Sequence, residues 1–287
     1  MPVAPDVLLA AAAALPPEQV APAVRAARLA GPRALGIVDR ALAAPPGAVL
    51  DAALETGLVL GLPEAWTACV RAADLGGPGS AFALLLLALG GEPFEVDRLA
   101  VAARDEALRP AALTALAFTG RAAAVDACLP YLRDPEVARL AAEAISTITG
   151  LAVEGAHQAP EPPPPEEPVP LEQEDLDANL VPGPDALLPL PAADAVEGWW
   201  SKARAQLDGR TRCLGGEPWT AKAALAALAG GSMRRRRAVA LDLAVRTRGA
   251  WTLETRTWAE DQRRLLAERP LPAGADLTSP LRRLVGG

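Results

Sequence analysis

A glycine recurs at almost constant spacing through the first half of the chain, at Gly31, Gly61, Gly90, Gly120 and Gly150, with intervals of 30, 29, 30 and 30 residues. Before each lies an Ala/Leu-rich run: VAPAVRAARLAG, LDAALETGLVLG, GSAFALLLLALG, RPAALTALAFTG and RLAAEAISTITG. Aligned on the glycine, the position eight before it reads Ala23, Ala53, Phe82, Ala112 and Ala142. The position five before it reads Ala26, Thr56, Leu85, Ala115 and Ile145. Small or apolar residues in fixed columns face a neighbouring helix, and a fixed period with room for two helices per repeat marks a stacked array of helix pairs. The expected fold class is therefore all-α, an α-solenoid.

Hydrophobic residues make up 51% of the 287 residues but aromatics only 3%, so the core must be built from Ala, Leu and Val. Small side chains let helices approach closely, which suits stacked pairs better than a deep pocket. Cys69, Cys128 and Cys213 stand far apart without CxxC or histidine neighbours, which argues against a disulfide framework or a zinc site and fits a reducing cytoplasm. No basic region precedes the apolar run Val7–Leu15, which Asp6 and Glu18 flank and Pro16-Pro17 ends. The longest uncharged apolar run, Ala81–Gly91, falls short of the roughly 20 residues a bilayer crossing needs. A cytoplasmic protein with no membrane partner is expected.

Charge divides the chain into three. Residues 1–150 carry 11 basic and 16 acidic side chains, residues 151–195 carry 10 acidic and none basic, and residues 196–287 carry 17 basic and 9 acidic. Such a split invites attraction between the middle and the end, or capture of an external anion by the last part. Four segments follow: a repeat array over 1–151, a proline- and acid-rich linker over 152–193, a C-terminal helical segment over 194–269, and a flexible tail over 270–287. The linker holds 11 of the 29 prolines and shows no helical period. Helix candidates in the array include Leu108–Phe118, Ala122–Leu132 and Pro135–Ile148, the last begun by Asp134-Pro135. In the C-terminal segment they are Asp194–Leu207, Thr220–Ala229, Ser232–Thr247 and one or two within Trp251–Glu268. LGGEP occurs twice, at Leu89–Pro93 and Leu214–Pro218, and both copies read as helix-ending turns.

The runs GLPEAWTAC, LRPAALTALAFTG and CLPYLRDPEVARLAAEAISTITGL resemble short HEAT-like repeats of the phycobilisome-lyase type. More closely, they resemble an uncharacterised bacterial HEAT-like-repeat family often encoded near type VI secretion genes. The string PGPDALLPLPAADAVEGWWSKARAQLDGRTRCLGGEPWT, followed by RRRRAVALDLAVR, resembles the second half of that family. The two matches cover roughly residues 50–151 and 180–266. Family members carry more residues before the first clear repeat, so the apolar start of this array leaves its cap in question. The resemblance implies a non-enzymatic protein-binding scaffold, an adaptor or chaperone-like accessory of type VI secretion. Two alternatives stand beside it: a nucleic-acid binder using the basic C-terminal segment, and a bilin-lyase-like protein.

Arg234, Arg235, Arg236 and Arg237 form the most unusual run, since the first turn of a helix favours acids. Three readings compete for it: solvated heads on packed stems, contact with an acidic partner or with linker carboxylates such as Glu166, Glu167, Glu172, Glu174 and Asp175, and nucleic-acid phosphate. Arg109 and Arg139 follow Asp105 and Asp134 in successive repeats, as an anion ladder or as bridges between repeats. Trp199 and Trp200 project about 100° apart on a helix, so at most one can enter the core and the other is a contact candidate. His157, the single histidine, falls in the linker and is expected to be exposed. No catalytic residue, cofactor or metal site is expected, because no phosphate-binding glycine motif, His-based triad or ligand cluster occurs.

Overall fold

The computed structural model describes residues 15–29, 35–161, 183 and 185–285. They are mostly helical, and neighbouring helices pack side by side. The first half holds α1 (Pro17–Ala26), α2 (Leu35–Leu42), α3 (Ala48–Leu60), α4 (Pro63–Leu75), α5 (Ala81–Gly90), α6 (Glu95–Ala102), α7 (Arg109–Leu116), α8 (Ala122–Cys128) and α9 (Ala138–Thr149). The odd-numbered helices form a continuous row in which α3 packs on α1 and α5, and α7 on α5 and α9; the even-numbered helices pack against that row. Alanine dominates the buried columns, where Ala53, Ala112, Ala115 and Ala142 are almost wholly enclosed. Without long side chains between them the helix axes can close up. Residues 1–14 and 30–34, including Gly31 and most of the run Val7–Leu15, lie outside the described residues.

Gly61, Gly91, Gly120 and Gly150 take left-handed φ values of 77°, 78°, 68° and 76° and end α3, the α5 turn, the α7 turn and α9. At Gly61 the turn is a Schellman closure, with Leu62 N–H donating to Gly57 O at 2.8 Å and Gly61 N–H to Leu58 O at 3.0 Å. In the third repeat the left-handed residue is Gly91 rather than the Gly90 of the sequence register. Gly90 is the last residue of α5, and a Cβ there would stand 2.4 Å from the Trp66 ring. Moving the register by one replaces the half-buried Phe82 and Leu85 in the facing columns with the enclosed Ala83 and Leu86.

The second half holds α10 (Ala193–Ala203), a hairpin of β1 (Cys213–Leu214) and β2 (Glu217–Pro218), then α11 (Ala221–Gly230), α12 (Met233–Arg246), α13 (Ala259–Glu268) and α14 (Leu281–Leu284). Thr220 and Ser232 cap α11 and α12 through their hydroxyls, which accept from Ala223 N–H and Arg235 N–H. This half docks across the glycine-closed ends of the row. Arg246 Nη2 donates to Leu89 O at 3.0 Å, and Arg212 donates to Phe118 O at 2.8 Å and Thr119 O at 3.3 Å. Cys213 N–H donates to Gly120 O, Gly215 N–H to Thr147 O and Gly216 N–H to Ile148 O, at 2.7, 2.7 and 2.9 Å. Helix C-termini present carbonyls with no partner inside the helix and a partial negative charge, so guanidinium and amide donors are the groups that suit them. Among these cations lies Asp242, wholly buried, whose Oδ1 accepts from Arg246 Nε at 2.7 Å and stands 3.9 Å from Arg212 Nη1. Arg212 also stacks 3.7 Å from the Trp219 ring centroid. Burial pushes the Arg212 guanidinium down, to about 9, against the upward pull of Asp242.

Several expectations are corrected. The second LGGEP is a hairpin turn, not a helix end: Gly215 and Gly216 have φ of 62° and 84°, the two positive values a type I′ turn needs. The tail is not frayed, because Leu277, Leu281 and Val285 are buried in the core and α14 packs on α5. The helix expected from Pro135 begins at Ala138, after a turn in which Asp134 Oδ1 accepts from Glu136 N–H. Trp251 is buried, but residues 251–258 form no helix, and Trp251 Nε1 donates to Arg269 O. The two ends of the linker pair with each other, with Gln158 bridging Pro191 and Ala159 N–H donating to Leu190 O at 2.8 Å. The residues between, 162–182, lie outside the described set, as do the linker carboxylates named above.

Gly150→Ala places a Cβ 2.5 Å from Gly215 O in a left-handed residue, with backbone on both sides unable to yield. It is expected to lower unfolding free energy by about 2–4 kcal/mol. Gly198→Ala, in the open interior of α10 with nothing near its Cβ, is expected to raise it by about 0.5–1 kcal/mol. Denaturant unfolding of both variants checks the contrast.

Candidate functional site

Four consecutive residues on a helix turn through about 300°, so Arg234–Arg237 cannot share a face. The first three each meet a different neighbour. Arg234 pairs with Asp185, at the C-terminal end of the acidic segment. Arg235 grips Glu143 of α9 through Nε at 2.7 Å and Nη2 at 2.8 Å, and Nη2 also reaches Ser146 Oγ at 2.9 Å. Arg236 donates to Gln262 Oε1 on α13 and to Met233 Sδ. The unfavourable dipole at the start of α12 is thus offset by acceptors drawn from three other segments. Arg237 alone of the four is exposed and has no ion-pair or hydrogen-bond partner among the described residues.

The remaining sequence candidates also point inward. Arg109 bridges to the next repeat, with Nη1 3.2 Å from Asp134 Oδ2 and Nε donating to Ala103 O at 3.1 Å; its guanidinium lies 5.7 Å from the Tyr131 ring centroid. Arg139 holds both ends of the linker, through Glu161 and the Leu188 carbonyl. Arg133 pairs in the same way with Asp194 and Glu197 of α10. Trp200 is buried and its indole N–H donates to Asp126 Oδ1 at 2.8 Å, while Trp199 packs partly buried with its ring 6.4 Å from His157. His157 is consequently half-buried, a correction to the exposed residue that its linker position suggested.

Arg237 opens onto a cleft of about 200 Å³ that sequence reasoning missed. Its walls bring Arg25 and Arg28 from the end of α1 and the turn after it, Glu55 from α3, Arg237 from α12, and Glu254 and Arg256 from the segment after Trp251. Phe82 and Leu241 supply apolar wall. Glu55 lies 3.1 Å from Arg25 Nε and 3.7 Å from Arg28 Nη1, so one carboxylate holds two of the four cations in place. Asp51 stands near Arg25 and Arg237, its carboxyl pushed above the ordinary value by burial while both arginines pull it down. No linear signal could have revealed this site, because Arg25 and Arg256 meet only through docking of the second half on the first.

Among the described residues no group of three or more His, Cys, Asp or Glu side chains could hold a metal ion, and no helix is long and apolar enough to cross a membrane. The three cysteines are buried; burial pushes the Cys128 thiol up to about 12, and Cys69 and Cys213 are raised as well. The chain matches no protein-family model, no curated protein and no solved structure.

Arg235 and Glu143 are expected to show a coupling energy of about 1–2 kcal/mol in a double-mutant cycle of Arg235→Ala and Glu143→Ala, measured by denaturant unfolding. At Asp126, burial raises the carboxyl but the Arg204 and Trp200 donors outweigh it, so the folded value lies below the ordinary one. A depressed carboxylate contributes stability that is complete above its unfolded value and is lost as pH falls toward the folded one. Tryptophan fluorescence is therefore expected to report loosening of α10 below about pH 4, a step that Asp126→Asn removes.

Proposed function

We propose that this chain is a non-enzymatic protein-binding scaffold, a right-handed stack of short HEAT-like helix pairs closed along one side by its own C-terminal segment. The observation that carries the reading is apolar surface left uncovered on the outward helices α4 and α6. Leu75 is 67%, Val101 61% and Phe94 49% exposed. Phe94 caps the start of α6 and Val101 lies seven residues on within it, and Trp66, Val70 and Leu75 line a shallow groove of about 540 Å³ on α4. Arg98 ties the two helices together through Asp74. Exposed apolar side chains next to an apolar groove suit a surface that another protein covers.

The resemblance to the HEAT-like-repeat family near type VI secretion genes supplies a setting, in which the partner is a component or effector of that apparatus and the role that of an adaptor. An acidic partner surface reached through the arginine run now has Arg237 as its one exposed guanidinium, since Arg234, Arg235 and Arg236 are held within the chain. The same engagement weakens the nucleic-acid reading, which needs free cations along a face.

A tagged full-length chain in its native host tests this, comparing wild type with Leu75→Asp/Val101→Asp and with Arg263→Ser on α13. Both apolar side chains are exposed, so the double variant keeps its fold. Proteins captured by wild type and Arg263→Ser but lost with the double variant support the scaffold, with a loss of affinity of about thirtyfold or more for a central contact. Identical capture by all three overturns it.

A further inference from the structure

We propose that the cleft between α1, α3, α12 and residues 252–256 is a binding site for a small organic phosphate monoester. Four arginines from three separate stretches of chain converge on it: Arg25 and Arg28, Arg237, and Arg256. Like charges gathered in a partly enclosed space repel unless an anion joins them. Glu55 serves Arg25 and Arg28, while the Arg237 and Arg256 side chains have no ion-pair partner among the described residues. Arg234, Arg235 and Arg236 each have an acceptor supplied by the fold, and Arg237, on the same helix turn, is aimed at a cavity instead.

The lining chemistry selects the ligand. Guanidinium groups pair with phosphate oxygens through two parallel N–H donors, and a phosphate monoester carries about −1.5 to −2 charge at neutral pH. Four cations face Glu55 and Glu254 on the walls, with Asp51 behind, which leaves a cationic excess. Thr252 and Thr255 add hydroxyls to the rim, and Phe82 and Leu241 give an apolar wall for a short carbon chain. At about 200 Å³ the space is below the roughly 300–1,000 Å³ of sites for drug-sized ligands, which favours a phosphoryl group on a few carbons over a nucleotide.

Titration calorimetry on the full chain with glycerol 3-phosphate tests the site, with glycerol and sodium sulfate at matched ionic strength as controls. Saturable binding of glycerol 3-phosphate, weakened about tenfold or more by Arg237→Ser and by Arg256→Ser but unchanged by Arg263→Ser, is the expected result. Arg237 and Arg256 are exposed, so both variants fold; thermal melts without ligand confirm it. Equal heats from sulfate, no saturable heat, or binding that persists in Arg237→Ser/Arg256→Ser each overturn the proposal. Binding of a phosphoserine peptide without binding of glycerol 3-phosphate overturns it too, and assigns the cleft to a protein partner.

Discussion

The structure depends on how the carbonyl groups at the ends of four alternate helices, α3, α5, α7 and α9, are satisfied. The last turn of any helix leaves its carbonyls without intrahelical donors, and here four such ends lie in one row. Arg246, Arg212 and the amides of Cys213, Gly215 and Gly216 supply the donors for α5, α7 and α9, while the Arg248 guanidinium lies over Gly61 at the end of α3. Glycine is required there twice over. It adopts the left-handed turn, and it leaves room for the docking backbone, since a Cβ at Gly120 or Gly150 would stand 2.5 Å from a carbonyl oxygen of the hairpin.

That docking explains the charge asymmetry. A basic second half meets a first half whose exposed features at the interface are helix C-termini and carboxylates, and the attraction is local and specific. Arg235 finds Glu143, Arg204 finds Asp126, and Arg282 finds Glu92. From the other side, Arg139 holds Glu161 at the start of the linker and Arg133 holds Asp194 and Glu197 of α10 just after its end. The buried cations around Asp242 would be costly alone, but carbonyl acceptors and the Trp219 face share the charge.

The same geometry separates a stabilising use of arginine from a binding one. Side chains that reach acceptors in the fold lock the two halves together; Arg237 and Arg256, whose side chains have no ion-pair partner among the described residues, converge with Arg25 and Arg28 on the seam where the halves meet. The cleft exists because α12 packs against α3. A binding site at such a seam would couple ligand occupancy to the docking of the second half.

Much of the helical pattern was legible in the sequence, because glycine spacing, alanine columns and Pro/Gly breaks act within a few residues of where they stand. The period placed α3, α5, α7 and α9, and the angle between successive helical residues separated Trp199 from Trp200. The period set its register on Gly90, and the left-handed residue there is the next one, Gly91, while Gly90 ends α5 against the Trp66 ring. It erred at the second LGGEP, where backbone donors aimed at α9 made a hairpin of a string that ends a helix elsewhere. The candidate site was out of reach for the same reason: Arg25 and Arg256 are brought together by a docking that no local rule encodes. The sequence by itself determined the helices and their glycine ends, since local sterics and periodicity specify those. Only the tertiary structure decided which arginines are consumed by the fold and which are left facing a cavity, because that depends on where acceptors remote in sequence come to lie.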